Sequence, residues 1–334
     1  MKPFSISASF VYMAKIIVEV CQNHNGDKNI LKDLIHAAAE SGADIIKGQI
    51  IFSEDVTHRP RFDEGEEEDN GVKKTIKRPY QAEIARLSGI DLKDEDYHFF
   101  VEEVRKAGVV PMLTVFTRKR IPFAASLPYA GEKLVKVASY DCASRPLIRE
   151  LSDNFGKLII STGATFDEEI EKTAQILKEK NRPFAFLHCV TSYPNALTMA
   201  NLSRMEWLRQ FTPEVGWSDH TLVARDGIKA AKTAIMLGAD YVERHFTVLP
   251  PDKTKDGPIS ITPELLKELS NFGKLSKEEQ KEIVEKEIPD WRIMLGHPRR
   301  EMTHTEMLNR DYYRGRFASF VNNEWIHNWK EKRF

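Results

Sequence analysis

The chain is poor in cysteine, has no excess of either charge and contains no long apolar run. It has three cysteines in 334 residues, and its 49 lysines and arginines nearly balance its 50 aspartates and glutamates, for a formal net charge of −1. No apolar stretch reaches the about 18 residues that suggest a transmembrane helix, and the balanced charge gives no basic surface for nucleic acid. The composition therefore argues against a membrane span and a nucleic-acid partner, and favours a cytoplasmic protein that acts on small molecules.

The three cysteines, Cys21, Cys142 and Cys189, lie far apart and show no metal-ligand spacing. Such sparse cysteines do not make a disulfide framework. Cys21 and Cys189 fall at the ends of predicted strands, where either thiol could line a pocket, but a buried free thiol is the usual state of such a residue. We assign none of the three to catalysis.

What the chain does contain is a regular alternation of strand and helix patterns. Gly42, Gly108 and Gly238 end helical patterns immediately before the next apolar run, where a left-handed C-cap is commonly needed. Eight alternations in a chain of this length predict an α/β fold of the (β/α)8 TIM barrel type. The eight apolar runs that we interpret as strands are Lys15–Val20, Asp44–Gln49, Val109–Phe116, Leu134–Ser139, Leu158–Thr162, Phe184–Val190, Glu214–Ser218 and Tyr241–Phe246.

The same pattern divides the chain into three segments. Residues 1–14 are an N-terminal extension without the pattern of a signal peptide, residues 15–275 are the barrel, and residues 276–334 are a short C-terminal extension of helical and irregular structure. A charged helix is predicted within this extension from Lys277 to Lys286. The connection from Phe52 to Arg78 is long and highly charged, so it is either a mobile lid over the barrel or a solvated loop.

Polar side chains stand where each predicted strand ends. Core-facing strand positions in a barrel are normally branched apolar residues, so a ring of polar ends is hard to explain by packing. It predicts a polar pocket at the C-terminal mouth of the barrel. The polar strand-end residues are Glu19, Asn23, His24, Lys47, Gln49, Thr114, Thr117, Lys136, Ser139, Ser161, Thr162, His188, Thr191, Tyr193, Ser218, Asp219, His220, Glu243 and His245.

Two of these residues, His220 and His245, stand just past consecutive predicted strands. Because neighbouring strand ends of a parallel barrel converge on one mouth, both imidazoles can reach a single divalent metal, which would act as a Lewis acid on a carbonyl oxygen. Lysines with hydroxyls suit a small anion that carries phosphate and carboxylate groups. We also expect two lysines buried at the mouth, Lys47 and Lys136, to need such an anion. The pattern predicts a site for a phosphate ester, a metal and a carbonyl compound.

These segments resemble the sialic acid synthase (N-acetylneuraminate synthase) family, whose enzymes condense phosphoenolpyruvate with a sugar of the N-acetylmannosamine type. The resemblance runs in family order from about residue 15 to residue 270, and the combination of motifs is highly specific although each piece alone is weak. The matching segments are Glu19-Val20-Cys21-Gln22-Asn23-His24-Asn25-Gly26, Gly42-Ala43-Asp44 with Lys47 and Gln49, Lys136-Val137-Ala138-Ser139, Ser161-Thr162-Gly163, Tyr193-Pro194, Ser218-Asp219-His220-Thr221 and Glu243-Arg244-His245-Phe246-Thr247.

The resemblance implies a metal-dependent synthase that joins phosphoenolpyruvate to an open-chain aldose and releases phosphate and a 2-keto-3-deoxy sugar acid. It implies a divalent ion, usually Mn²⁺ with Mg²⁺ or Co²⁺ as alternatives, held by His220 and His245. The implied catalytic residues are Glu19, Lys47, His220 and His245. The residues that it places around the phosphate are Thr114, Lys136, Ser139, Ser161, Thr191 and Ser218, with Lys47 at the carboxylate, and those against the sugar are Glu19, Tyr193 and Asp256.

Two regions depart from the family pattern. The loop after the second histidine lacks the family's Asp-His pair and reads from Lys255 to Pro263, so we expect Asp256 to replace the missing aspartate. About 60 residues follow the barrel where family members usually add an antifreeze-like domain, and we expect no complete domain there. Segment 309–319 resembles the entry into that domain. Arg314 or Arg316 then either caps the site of a neighbouring subunit in a homodimer or packs on its own barrel.

Alternative interpretations stay open. A metal-dependent aldolase that uses pyruvate itself would release no phosphate. A non-catalytic barrel that binds a sugar or phosphosugar would keep ligand binding without turnover, and the missing Asp-His pair motivates this interpretation. Glu19 either steers water or a sugar hydroxyl, or merely pairs with Lys47 or Lys136.

Overall fold

Eight parallel β-strands close into a barrel in the computed structural model, which describes residues 13–332. Each strand is hydrogen-bonded to its neighbours in the chain, and the first strand closes the ring by pairing with the eighth. The strands are Lys15–Glu19 (β1), Ile45–Ile50 (β2), Val110–Val115 (β3), Leu134–Val137 (β4), Lys157–Ser161 (β5), Phe184–Cys189 (β6), Val215–Asp219 (β7) and Tyr241–His245 (β8).

The predicted (β/α)8 barrel is confirmed. All eight apolar runs become barrel strands, and their bounds shift by only one or two residues. The largest shift is at β4, which ends at Val137 because Ser139 already begins a 3₁₀ turn. Residues 1–12 of the predicted N-terminal extension lie outside the described residues.

Helices surround the barrel. The first begins after Asp27, whose carboxylate accepts a hydrogen bond of 2.7 Å from the backbone N–H of Asn29 and so caps the helix. None of the helices between residues 13 and 332 combines the length and apolar character of a bilayer span. The α-helices of this range are Lys28–Glu40 (α1), Arg61–Glu64 (α2), Tyr80–Ser88 (α3), Asp94–Lys106 (α4), Ile121–Ser126 (α5), Arg145–Asn154 (α6), Asp167–Glu179 (α7), Arg204–Leu208 (α8), Val223–Asp226 (α9), Lys229–Met236 (α10), Pro263–Gly273 (α11), Lys277–Glu287 (α12) and His304–Tyr313 (α13).

The interior of the barrel is apolar at one end and polar at the other. Because side chains alternate along a strand, the residue two positions after an interior side chain also points inward. Glu19, Lys47 and Lys136 stand in this relation to three apolar residues of the interior. The plug of apolar side chains therefore places a polar layer at the C-terminal mouth. The plug consists of Ile17, Ile45, Met112, Leu134, Ile159, Ala185, Leu187 and Tyr241.

The C-terminal extension returns to this mouth. The predicted charged helix is present as α12, and the extension also contains a hairpin of Ser319–Val321 (β9) and Glu324–Ile326 (β10). Between α13 and β9, the Arg316 carbonyl accepts a hydrogen bond of 2.9 Å from the Thr57 N–H, and the Ala318 N–H donates to the Asp55 carbonyl at 3.0 Å. The extension thus lies across the loop that follows β2.

The long connection after β2 is folded, and it is solvated as well. It contains α2 and a short hairpin of Glu66–Glu67 with Lys73–Thr75, and its acidic tip is exposed. Arg59 anchors it, because this guanidinium donates to the carbonyls of Asp311 at 3.1 Å and Arg314 at 3.3 Å. The connection and the C-terminal extension therefore form one rim of the mouth.

Candidate active site

Two lysines and two glutamates form a buried ionic cluster at the mouth. Lys47 pairs with Glu19, and its Nζ lies 3.7 Å from Glu243 Oε1. Lys136 Nζ lies 3.6 Å from Glu243 Oε2. None of the four is more than 4% exposed. The expectation that the two lysines need an external anion is wrong, because Glu19 and Glu243 of the chain itself balance their charge.

The same cluster shifts the pKa values of its members. Burial lowers the pKa of Lys47 to about 7, and the charge of Glu243 opposes the shift. Burial alone would raise the pKa of Glu243, but Lys136 and Lys47 together lower it to about 2. Glu243 is therefore ionised at neutral pH, whereas Lys47 is near its titration point. An arriving anion would favour the protonated form of Lys47.

Hydroxyl groups contact both members of the Lys136–Glu243 ion pair. Lys136 Nζ donates to Ser161 Oγ at 2.7 Å, and Ser218 Oγ donates to Glu243 Oε1 at 2.9 Å. Thr191 lies behind this layer, where its hydroxyl is 3.4 Å from Ser139 Oγ. An ammonium with several directed hydroxyl donors is a suitable cradle for a phosphate group.

These side chains line a cavity of about 320 Å³, a volume typical of small-molecule sites. Every residue that the resemblance placed in the site lines this cavity except Thr191, which is fully buried. Their individual roles stay predictions. The predicted residues that line the cavity are Glu19, Lys47, Thr114, Lys136, Ser139, Ser161, Tyr193, Ser218, His220, His245 and Asp256.

The two predicted histidines lie side by side in the cavity wall. Their ring centroids are 5.5 Å apart, because His220 directly follows β7 and His245 ends the neighbouring β8. Burial and, to a smaller extent, the nearby His245 lower the pKa of His220 to about 3. Burial also lowers the pKa of His245. Both rings are therefore neutral at pH 7, which is the form that binds a metal ion.

A second set of potential metal ligands shares His245 with this pair of histidines. One donor atom each of Cys21, His245 and Asp256 lies within 4.8 Å of the other two, and these residues form the one such group found in residues 13–332. Cys21 Sγ donates a hydrogen bond of 3.0 Å to Asp256 Oδ2. Sulfur, imidazole and carboxylate donors fit a divalent transition metal. His220 stands outside the three-residue group.

Two residues of the C-terminal extension complete the cavity wall. Tyr313 and Arg316 line the cavity of their own chain. The Arg316 guanidinium pairs with Glu83, and this residue is only 7% exposed. Arg314 points elsewhere, with Nη1 at 3.5 Å from Glu169. Within the one chain described, Arg316 therefore lies against its own barrel, and a role in a neighbouring subunit stays a prediction.

The sequence indicated three further residues of the cavity wall without giving their partners. Glu243 is one of the polar strand ends that predicted the pocket, but its ion pairs with Lys47 and Lys136 were not expected. The Cys21 thiol was a possible lining group, and its contact with Asp256 was not expected. Arg316 was one of two candidate arginines, and only the course of the C-terminal extension brings it to Glu83.

Comparison with known proteins identifies the family. The NeuB family model matches residues 34–282, which is more than half of the chain. The chain is 30% identical over 298 residues to the N,N'-diacetyllegionaminic acid synthase of Legionella pneumophila, covering 87% of this chain and 76% of that protein. It is 31% identical over 287 residues to the enzyme of that name from Campylobacter jejuni, covering 80% of this chain and 81% of that protein.

A solved structure shares the fold. The crystal structure of an N-acetylneuraminic acid (sialic acid) synthetase from Leptospira borgpetersenii, in complex with citrate, aligns with a TM-score of 0.67. The alignment covers 90% of this chain and 92% of that chain at 26% sequence identity. Family and fold thus agree with the strand-end residues that line the cavity.

Proposed function

The chain belongs to the NeuB family of sialic and related nonulosonic acid synthases, and from this premise we propose that it condenses phosphoenolpyruvate with an open-chain aldose. The products are a 2-keto-3-deoxy sugar acid and phosphate. The observation that carries the proposal is the buried layer of Lys47, Lys136, Glu19 and Glu243 beneath a ring of hydroxyls. Both substrates are small metabolites, and we expect the enzyme to work in the cytoplasm.

The phosphate of phosphoenolpyruvate is best placed at Lys136. This ammonium already donates to Ser161 Oγ at 2.7 Å, and Ser139 lines the same part of the cavity. The carboxylate is then within reach of Lys47. This lysine lies on β2, which is two strands away from the β4 strand of Lys136. Two cations held by rigid strands fix both ends of the substrate and orient its C3 carbon.

The reaction forms a C–C bond and a C–O bond and breaks the C–O bond to phosphate. The C3 carbon of phosphoenolpyruvate attacks the aldehyde carbon of the sugar, water adds at C2, and phosphate departs by C–O cleavage. We assign to Glu19 the orientation of that water or of a sugar hydroxyl. Its Oε2 accepts from Lys47 Nζ and, at 3.3 Å, from Gln49 Nε2, which holds the carboxylate at the cavity wall. Pairing with Lys47 keeps the carboxylate in position and does not exclude this role.

The sugar is best placed at the outer part of the cavity. Tyr193 packs its ring against His220 at a centroid distance of 4.5 Å, and Asp256, Tyr313 and Arg316 line the same part of the wall. Hydroxyl, carboxylate and guanidinium groups suit a polyhydroxy aldehyde with an amide or acidic substituent. Because Arg316 of the same chain lines this wall, we propose that sugar binding needs no residue of a second subunit.

His220 and His245 would contribute neutral imidazoles to a divalent metal, for which Mn²⁺ is our first choice. When bound, such an ion acts as a Lewis acid on the aldehyde oxygen. The residues present fit this cofactor, because the two rings are neighbours and His245 Nδ1 is buried without a hydrogen-bond partner.

Phosphate release tests the proposal. The protein is incubated with phosphoenolpyruvate, Mn²⁺ and one aldose at a time from a panel of N-acetylmannosamine, mannose, diacetamido-trideoxyhexoses and pentoses. We expect release that needs a particular aldose and stops with a chelator. Consumption of pyruvate with an aldose, without phosphate release from phosphoenolpyruvate, would instead show a pyruvate aldolase. Saturable binding of phosphoenolpyruvate without release for any aldose would favour a binding protein.

A further inference from the structure

Three side chains with different ligand atoms converge where the first and last strands of the barrel meet. Glu19 on β1 pairs with His245 on β8, so Cys21, two residues farther along, lies just above that histidine. Asp256 comes from the loop that follows β8. One donor atom of each residue lies within 4.8 Å of the others, although Cys21 and Asp256 are 235 positions apart in the chain.

The spacing of these atoms is close to that of ligands around one ion. Metal bonds of about 2.3 Å to sulfur and about 2.0–2.2 Å to nitrogen or oxygen place two ligand atoms at most about 4.5 Å apart. Cys21 Sγ and Asp256 Oδ2 are 3.0 Å apart, and one ring nitrogen of His245 lies within 4.8 Å of both residues' ligand atoms. His245 is 8% exposed, and its Nδ1 is buried without a hydrogen-bond partner.

Outer contacts hold the loop that carries Asp256. Asn23 Nδ2 donates to the Phe246 carbonyl at 2.7 Å and to Ser260 Oγ at 2.9 Å. Ser260 Oγ in turn donates to the Asp256 carbonyl at 2.7 Å. These bonds hold the loop against the ends of β1 and β8, and hydrogen bonds behind metal ligands commonly orient them in this way.

The backbone of Cys21 is also unusual. Its φ is +45°, a left-handed conformation that residues with a side chain rarely adopt. The Cys21 N–H donates to Glu19 Oε1 at 2.6 Å, which helps to hold this conformation. Strained residues of this kind cluster at functional sites, and here the strain accompanies a thiol at the wall of the cavity.

We propose that Cys21, His245 and Asp256 bind one divalent ion through sulfur, nitrogen and oxygen. The thiol proton leaves to solvent as the metal–sulfur bond forms. A sulfur ligand favours Zn²⁺, Co²⁺ and Fe²⁺ over Mn²⁺ and Mg²⁺, since soft donors prefer softer ions. This inference deepens the metal part of the proposed function by replacing its ligand pair of His220 and His245 with Cys21, His245 and Asp256 and its first choice of Mn²⁺ with a softer ion. It rests on the proposed function only for the use of the ion in turnover.

Cobalt absorption tests the site directly. The full chain is titrated with Co²⁺ alone, and the near-ultraviolet band of sulfur-to-cobalt charge transfer is recorded. We expect one equivalent of Co²⁺ to produce the band, and Cys21→Ala to abolish it and weaken Co²⁺ binding at least tenfold. Cys142→Ala is the matched control, because Cys142 is a buried thiol that does not line the cavity, and it should keep the band.

The possible results test the thiolate metal site and the proposed condensation reaction separately. Bound Co²⁺ without the band in the unaltered protein, or an undiminished band in Cys21→Ala, would overturn the thiolate site. If Cys21→Ala does not fold, the unaltered protein still decides by its spectrum, and Asp256→Asn should weaken Co²⁺ binding. A band without aldose-dependent phosphate release would contradict the proposed function alone. Phosphate release without the band would contradict the thiolate site alone.

Discussion

Lys136 is the residue on which phosphate recognition depends most. In Lys136→Met we expect the KM for phosphoenolpyruvate to rise roughly ten- to hundredfold, because a hydrogen bond to a charged group contributes about 1.5–3 kcal/mol. Steady-state phosphate release measures this change. Lys157→Met is the matched control, since Lys157 is also buried but contacts Tyr241 Oη at 3.0 Å in the apolar half of the barrel. An equal rise of KM in both variants would contradict the assignment.

Lys47 makes the binding of phosphoenolpyruvate depend on pH. Its pKa is lowered to about 7 by burial, so the ammonium that would hold the carboxylate is charged below that pH and neutral above it. We therefore expect the affinity for phosphoenolpyruvate to be highest below pH 7 and to fall as the pH rises through 7. Isothermal titration across this range measures the effect.

Lys47→Arg is the matching test of this pH dependence. An arginine keeps its charge at all these pH values, so the variant should lose the fall of affinity above pH 7 even if its affinity is lower throughout. A fall that persists unchanged in Lys47→Arg would assign the titration to another group.

At the scale of elements, the contact of β7 with β8 brings the two histidines together. Gly216 on β7 permits this contact, because a Cβ there would lie 2.2 Å from the Tyr241 carbonyl oxygen and 2.8 Å from Leu187 Cδ2. We expect Gly216→Ala to lower the free energy of unfolding by about 1–3 kcal/mol, the usual cost of overpacking. Urea denaturation measures it.

Gly89→Ala provides the control for Gly216→Ala. Gly89 has φ −72°, and the atoms nearest to a Cβ there are 3.5 Å away. Its replacement should leave the free energy of unfolding unchanged or raise it slightly. If Gly216→Ala were as stable as Gly89→Ala, the two strands would have room that the structure does not show.

The elements could be predicted from the sequence because their signals are local. Apolar runs and polar strand ends depend on neighbouring residues, and they located all eight strands and the cavity wall. The partners of Glu243, Cys21 and Arg316 could not be predicted because those contacts are made with residues distant in the sequence. Cys21 meets Asp256 only because β1 pairs with β8, and Arg316 meets Glu83 only because the C-terminal extension crosses the mouth.

At the scale of the whole molecule, the C-terminal extension completes the cavity of its own chain. Arg316→Gln should lower phosphate release about tenfold or more, because a charge-assisted contact at the cavity wall is lost. An equimolar mixture of Arg316→Gln with Lys136→Met should then show only the sum of their separate activities. Assays of each variant alone and of the mixture measure this.

Complementation in such a mixture would contradict the placement of Arg316. If the guanidinium instead reached the cavity of a second subunit, hybrid dimers would contain one cavity with both an intact Arg316 and an intact Lys136. Recovery of activity above the sum would therefore show that the extension works between chains. Proportional activity on dilution of the unaltered protein would agree with a cavity that one chain completes.

The fate of the bridging oxygen tests the condensation most directly. Phosphoenolpyruvate labelled with oxygen-18 between C2 and phosphorus is incubated with the metal-loaded protein and its aldose, and both products are analysed by mass spectrometry. The proposed condensation predicts labelled phosphate together with an unlabelled sugar acid that is three carbons longer than the aldose. Label that stays in pyruvate or in the sugar acid, with unlabelled phosphate, would show cleavage at phosphorus and contradict the proposed condensation.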